Sequence, residues 1–279
     1  MDHDKRGPKR YRIGDFARGV GVTADFLKHY QESGLLEAHR TPSGYRYYSF
    51  EQSARVIDYL RLRNYGVSIR EMRDYTDCDA ERAMALLGER TREMRRTIER
   101  LQAIVDEEEA LEHWFAARLK QPIDWEIREV EPYVYLRHTN DRAFLEDDRI
   151  RELLRDWCAW LPVTKSAMLV KRGPVEGTGS VHWGFAVPER LLERYGIPRN
   201  DAVERLEFGR AFVFHFHNLE EAFDMRTVVE GRHPAHDLLR ELGFRVTGDG
   251  LLLNEMRLAD ATGKAYPGLG RFILPVDRA

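Results

Sequence analysis

Glu255 is the first residue to weigh. It sits inside Leu251-Leu252-Leu253-Asn254-Glu255-Met256-Arg257-Leu258, an apolar run of strand length. Alternate residues of a strand share a face, so Leu251, Leu253 and Glu255 lie together. A carboxylate is costly to bury alone in such a row. It must meet a cationic partner, stay protonated or await a cationic ligand. Aromatic walls would add cation–π attraction for that ligand. Tyr133, Trp157, Trp183, Phe214 and Tyr266 are the candidate walls. Metal chemistry has less support. His215-Phe216-His217 puts two imidazoles on one strand face, and no third ligand is evident. Cys78 and Cys158 are far apart with no CxxC spacing. That excludes a disulfide framework and a thiolate zinc site, and no cofactor is expected.

A second constellation lies near the N-terminus and joins cations to aromatics. Thr23, Lys28, His29 and Tyr30 belong to one short amphipathic segment. Arg40, Tyr45, Arg46, Tyr47 and Tyr48 surround Pro42-Ser43-Gly44, which is turn chemistry. Arg12, Arg61, Arg63 and Arg70 flank them. Arginine contacts phosphates and base edges, and tyrosine hydroxyls reach phosphates. Each residue alone would be an ordinary surface group; the grouping points to nucleic acid.

The elements that must position these residues fall into three regions, 1–76, 77–121 and 122–279. In the first, a short helix over 14–20 precedes the turn Gly21-Val22. Thr23 caps a second helix, 24–33, stopped by Gly34. Two extended pieces, 39–41 and 45–48, make a hairpin. Ser49 to Gln52 and Ser68 to Glu71 have the spacing of capping boxes, each opening a helix. Helix, turn, helix, hairpin is a winged helix-turn-helix, whose second helix enters the major groove.

The second region has no proline. Leu87, Met94 and Leu101 with Ile98 and Val105 follow an alternating four/three spacing. Some 40 residues at about 1.5 Å each make a helix of roughly 60 Å. Its apolar stripe predicts a coiled coil with a second copy of the chain. Glu107-Glu108-Glu109 interrupts that seam.

The third region reads as strands and helices in the order strand, helix, strand, strand. The order occurs over 126–187 and again over 203–276, which suggests internal duplication. The expected fold is therefore α+β: a winged helix-turn-helix, a long dimerisation helix and an α/β body of two repeats.

The formal net charge of −3 over 279 residues argues against a nucleic-acid binder when read as one number. It is unevenly spread. Residues 1–75 hold 14 Lys and Arg against 10 Asp and Glu, a balance of +4, and the remainder carries −7. No apolar run has the length of a membrane span. The charged N-terminus does not read as a signal peptide, so a cytoplasmic protein with no membrane partner is expected.

Several ordered stretches resemble the MerR family of transcription regulators. They are Tyr11 to Ala17, Val22 to Leu36, Arg40, Gly44 to Tyr48, and Leu60 to Met72. The resemblance implies a homodimer with antiparallel long helices that binds promoter DNA. It implies distortion of an overlong promoter spacer, so that RNA polymerase engages both promoter elements, under control of an effector. One departure is Lys28-His29-Tyr30-Gln31, where the family usually has Arg-Tyr-Tyr-Glu. Lysine keeps the charge and loses the bidentate fork.

The body resembles the GyrI-like effector-binding domain of multidrug-response regulators. The resemblance rests on the doubled element order, on 251–258 and on Arg271 to Val276. It implies a pocket for hydrophobic, cationic small molecules with Glu255 as the attracting carboxylate and Tyr266 beside it. The pocket tyrosine expected on the strand 166–171 is missing. The absence of cysteine from 114–121 separates the chain from the metal-sensing members. Two other readings stay open. Glu255 could act as a general base beside Tyr266 in a hydrolytic reaction, or the body could serve only as a protein-interaction module.

Overall fold

The computed structural model describes residues 9–76, 78–118, 125–140, 143–172, 179–217, 232, 234–259 and 265–279. The chain divides into two compact units, Met1–Ile98 and Glu99–Ala279.

The first unit begins β1 (Arg10–Arg12), α1 (Ile13–Val20), α2 (Ala24–Glu32), β2 (His39–Arg40) and β3 (Arg46–Ser49). It continues with α3 (Gln52–Asn64) and α4 (Ile69–Thr76). Gly21 ends α1 at φ 73°, a left-handed conformation that glycine enters without strain. Thr23 then caps α2, its Oγ1 accepting from the Phe26 N–H at 3.1 Å.

The two capping boxes differ in outcome. Ser68 and Glu71 are reciprocal: Glu71 Oε2 accepts from the Ser68 N–H at 2.8 Å, and Ser68 Oγ accepts from the Glu71 N–H at 3.3 Å. At Ser49 only half forms. Gln52 Oε1 accepts from the Ser49 N–H at 2.8 Å, but α3 starts at Gln52 with Glu51 as its N-cap. The hairpin also gains a strand the patterning did not reveal: β1 pairs with β3 to give a sheet in the order β1-β3-β2. Phe16, Leu27, Tyr30, Tyr48, Val56 and Leu62 form the core beneath it.

Helix α5 runs Ala80–Arg118. Leu86 and Leu87 pack on the core of the first unit. Farther along, Ala103 is buried in a core of the second unit. Ile98, Leu101 and Val105 remain exposed. The C-terminal part of α5 therefore presents one face to the body and another to solvent.

The body is a nine-stranded antiparallel sheet. Its strands are β4 (Trp125–Val130), β5 (Tyr133–Arg137), β8 (Lys165–Arg172), β9 (Gly179–Pro188), β10 (Val203–Leu206), β11 (Gly209–His217), β12 (Phe244–Val246), β13 (Gly250–Ala259) and β14 (Ala265–Arg278). A small separate ribbon pairs β6 (Thr139–Asn140) with β7 (Ala143–Phe144). The helices are α6 (Asp148–Ala159), α7 (Glu189–Tyr195) and α8 (Pro234–Glu241).

The strand order is β10-β5-β9-β8-β13-β14-β11-β4, with β12 added on β14. β5, α6, β8 and β9 form one repeat, and β11, α8, β13 and β14 form the other. β8 pairs with β13 at the centre, and each half runs outward in matching order. The leading strands cross over: β4 pairs with β11 and β10 with β5. The duplicated order is thus visible as a pseudo-twofold sheet. Pro132 separates β4 from β5.

Strand alternation sorts the body residues into two faces. Tyr133, Ala167, Leu169, Leu251, Leu253 and Ile273 share one apolar cluster. Val134 and Leu136 turn instead to a cluster with α6 and α7, and Met168, Leu252 and Phe272 to one with α8.

Candidate DNA-binding head and body cavity

In the head, the tight turn and the Thr23 cap fix how α2 is presented. Lys28 is half-buried and bonds Asp25 at 2.8 Å, and His29 is exposed. Tyr30 is not available to a partner. It is 3% exposed, stacked on Phe26 with ring centroids 4.0 Å apart and packed against Tyr59. Burial raises its hydroxyl pKa. It belongs to the core, because position 30 lies three beyond Leu27 on the same helix face.

Around the hairpin, Arg12, Arg40 and Tyr45 are exposed, and Arg46 and Tyr47 are half-buried. The Arg12 guanidinium lies over the Tyr45 ring at 5.1 Å, and the neighbouring Tyr47 raises its pKa. These residues are brought together on β1 and the hairpin. Tyr48 is fully buried and stacks on Phe16, so it is a core residue and no part of a contact surface. Arg63 stands exposed on α3. The head therefore offers exposed cations and aromatics anchored on a packed core.

In the body, a cavity of about 240 Å³ opens on the sheet face that carries Tyr133, Lys165, Glu255 and Arg271. Glu107, Leu111 and Trp114 of α5 line it from the helix side. β13 pairs with β14 through Asn254↔Gly270 and Met256↔Leu269, which leaves Glu255 as the extra residue of a β-bulge. Such a bulge re-aims a side chain and ends regular pairing.

Glu255 has found a partner rather than staying vacant for a cationic ligand. Its side chain is 5% exposed and pairs with Lys165 Nζ at 2.7 Å and Arg271 Nη2 at 2.5 Å. Arg271 Nε also donates to Glu255 Oε1 at 2.8 Å. Burial pushes the Glu255 carboxyl up, but Arg271 and Lys165 outweigh it and hold the group below its ordinary value. Lys165 reaches Glu107 as well, at 3.2 Å, and so ties α5 to the sheet. Glu107, expected only to interrupt a seam, is a member of this network.

Of the predicted aromatic walls, Tyr133 lines the cavity. Trp157 does not: it is fully buried in the α6 core, and its indole N–H donates to the Pro198 carbonyl at 2.8 Å. Trp183 and Phe214 pack with the α8-side cluster, on the face away from Glu255. The error is one of strand parity, since neighbours along a strand point oppositely. Tyr266 pairs with Leu258 in the β13–β14 ladder, and its side chain lies outside the described residues, as does that of His217. His215 is buried, with its ring 5.2 Å from Trp114 and its Nε2 3.3 Å from Glu126.

Lys165, Arg271 and Trp114 were missed as cavity residues. Lys165 and Arg271 did leave a signal: each is a charge at an alternate position of an apolar strand, as Glu255 is.

Comparison with known proteins bears mainly on the head. Residues 11–78 match the model of the MerR HTH family regulatory protein. The chain is 44% identical over 66 residues to the nodulation protein NolA of Bradyrhizobium elkanii, covering 23% of this chain and 30% of that protein. It is 33% identical over 64 residues to the mercuric resistance operon regulatory protein of Bacillus cereus, covering 23% of this chain and 48% of that one. The chain thus spans less than half the length of these relatives.

Among solved structures, the EcmrR–DNA complex is matched over 96% of this chain and 100% of that one, at 16% identity and TM-score 0.37. A hydrolase from Listeria innocua is matched over 58% of this chain and 96% of that one, at 18% identity and TM-score 0.32. Likenesses of this size carry nothing about activity. The order of elements, the capped second helix, the hairpin and the matched residues all agree, and residues 11–78 of this chain form a MerR-type helix-turn-helix domain.

Proposed function

We propose that the protein is a ligand-responsive transcription regulator that binds promoter DNA through its head as a homodimer. The observation that carries the reading is the head itself. α2 is capped and anchored by Leu27 and Tyr30, and Arg12, Arg40, Arg46 and Arg63 remain in the same unit for phosphates. Exposed Ile98, Leu101 and Val105 on α5 support pairing with a second copy. Two heads held apart on one dimer would grip both flanks of an overlong promoter spacer. DNA deformation energy would then favour or oppose RNA polymerase.

The body cavity supports small-molecule sensing, because α5 forms one of its walls. Hydrolysis is the weaker reading. Both oxygens of Glu255 are engaged by cations and its pKa is held low, which suits a general base poorly. A pure protein-interaction module would leave the cavity without a role. A cytoplasmic setting follows from the proposed DNA target; no helix among the described residues is long and apolar enough to cross a membrane.

Footprinting of the full-length protein on the promoter of its own gene tests the reading. Protection of a near-palindrome is expected. No protection at any promoter tested would sink it.

A further inference from the structure

The carboxylates of the cavity are already neutralised by cations of the protein itself. Every carboxylate lining it already has a cationic partner: Glu255 has Lys165 and Arg271, Glu107 has Lys165, and Glu131 has Arg190 at 3.2 Å. The three acids and three bases balance, so no net negative charge remains to draw a cation inward. A cation entering would meet Lys165 and Arg271 at like charge.

The donors tell the opposite story. A guanidinium has five N–H groups and an ammonium three. Arg271 directs Nε and Nη2 to one oxygen of Glu255, and its Nη1 makes no bond among the described residues. Lys165 directs two bonds to carboxylates, which leaves a third hydrogen. The indole N–H of Trp114 is buried and has no acceptor among the described residues. A buried donor without an acceptor requires an explanation, and all three residues line one cavity. Beside these donors and the paired carboxylates, Leu111, Tyr133 and Leu191 supply apolar and aromatic wall. Asn254 Oδ1, an acceptor without a donor, lines a neighbouring recess and not this cavity.

We propose that the effector of this cavity is a small aromatic carboxylate. Its carboxylate accepts from Arg271, Lys165 and the Trp114 indole, and its ring packs against Trp114, Leu111 and Tyr133. A cavity of about 240 Å³ suits one or two fused rings. This assignment rests on the sensing role proposed above and gives it a ligand class. It also gives the signal a route, since Trp114 and Glu107 belong to α5.

Calorimetric titration of the full-length protein with three probes of one shape tests it: 2-naphthoate, 2-naphthalenemethanol and 2-naphthylmethylammonium. Naphthoate is expected to bind roughly tenfold or more tighter than either other probe, as charge-assisted bonds imply. Trp114→Phe keeps the ring and removes the donor. It should weaken naphthoate by about three- to tenfold and leave the alcohol unchanged. Arg271→Gln should bring naphthoate and alcohol to within about twofold of each other. Trp114→Phe carries the test alone if the Arg271 variant does not fold. Equal binding of naphthoate and alcohol, or tighter binding of the ammonium, overturns the carboxylate assignment and leaves a sensing cavity standing. No binding of any probe at millimolar concentration overturns the small-molecule role itself.

Discussion

The head and the cavity both gather cations, and they hold them in opposite ways. Arg12, Arg40 and Arg63 stand exposed, where salt screens them and their geometry is loose. Lys165 is 8% exposed and clamps a carboxylate that is 5% exposed. A buried charge cannot be left alone, so the cations of the cavity are structural before they are anything else. The exposed cations of the head cost the fold little and remain available to a polyanion. The difference teaches where function can be altered without loss of the protein. It is easy in the head. In the cavity it is limited to donors the internal pairing does not use.

The largest effect that would break this contrast is at Glu255. Glu255→Ala leaves two cations facing each other and should cost about 3–5 kcal/mol in urea unfolding. Arg63→Ala should change stability by less than about 0.5 kcal/mol. Similar costs for the two would erase the distinction.

Acid should separate the regions next. The folded Glu255 pKa lies below its ordinary value of 4.5. Its contribution is therefore fully present above about pH 4.5 and is lost as pH falls through the lower folded value. The stability gap between wild type and Glu255→Gln should be widest near neutrality and close in acid. A gap that widens in acid would reverse the sign.

A smaller effect is expected in DNA titrations. Arg40→Ala or Arg63→Ala should lower the slope of log affinity against log salt by about 1. Tyr30→Phe should leave that slope unchanged, since Tyr30 is core; a clear loss there would return it to the contact surface. The smallest effect is Thr23→Ala, expected to cost about 1 kcal/mol through its lost cap bond. Thermal unfolding reads it.

How much was legible differs between the regions for a physical reason. In the head, the information is local. Gly21, Thr23 and the Ser68–Glu71 box act over three or four residues, so turns, caps and helix starts could be placed from the chain alone. The two tyrosines Tyr30 and Tyr48 read as contact residues are core because burial is decided by what packs from elsewhere in the chain, here Tyr59 and Phe16. In the body, alternation along 251–255 correctly put Glu255 on the face of Leu251 and Leu253. The same alternation turns Trp183 and Phe214 to the opposite face, away from the cavity.

What the sequence by itself determined is the identity of the head, the long proline-free helix and the doubled order of the body. Each is written in short-range spacing or in a repeated pattern. What only the tertiary structure decided is the company Glu255 keeps. Positions 107, 165, 255 and 271 lie on one helix and three strands. They meet because the two repeats join at β8 and β13, and because α5 lies across that sheet face. No spacing rule reaches across such distances. A carboxylate that looked like bait for a cation proved to be already paired, because burial forced its neighbours to supply the charge.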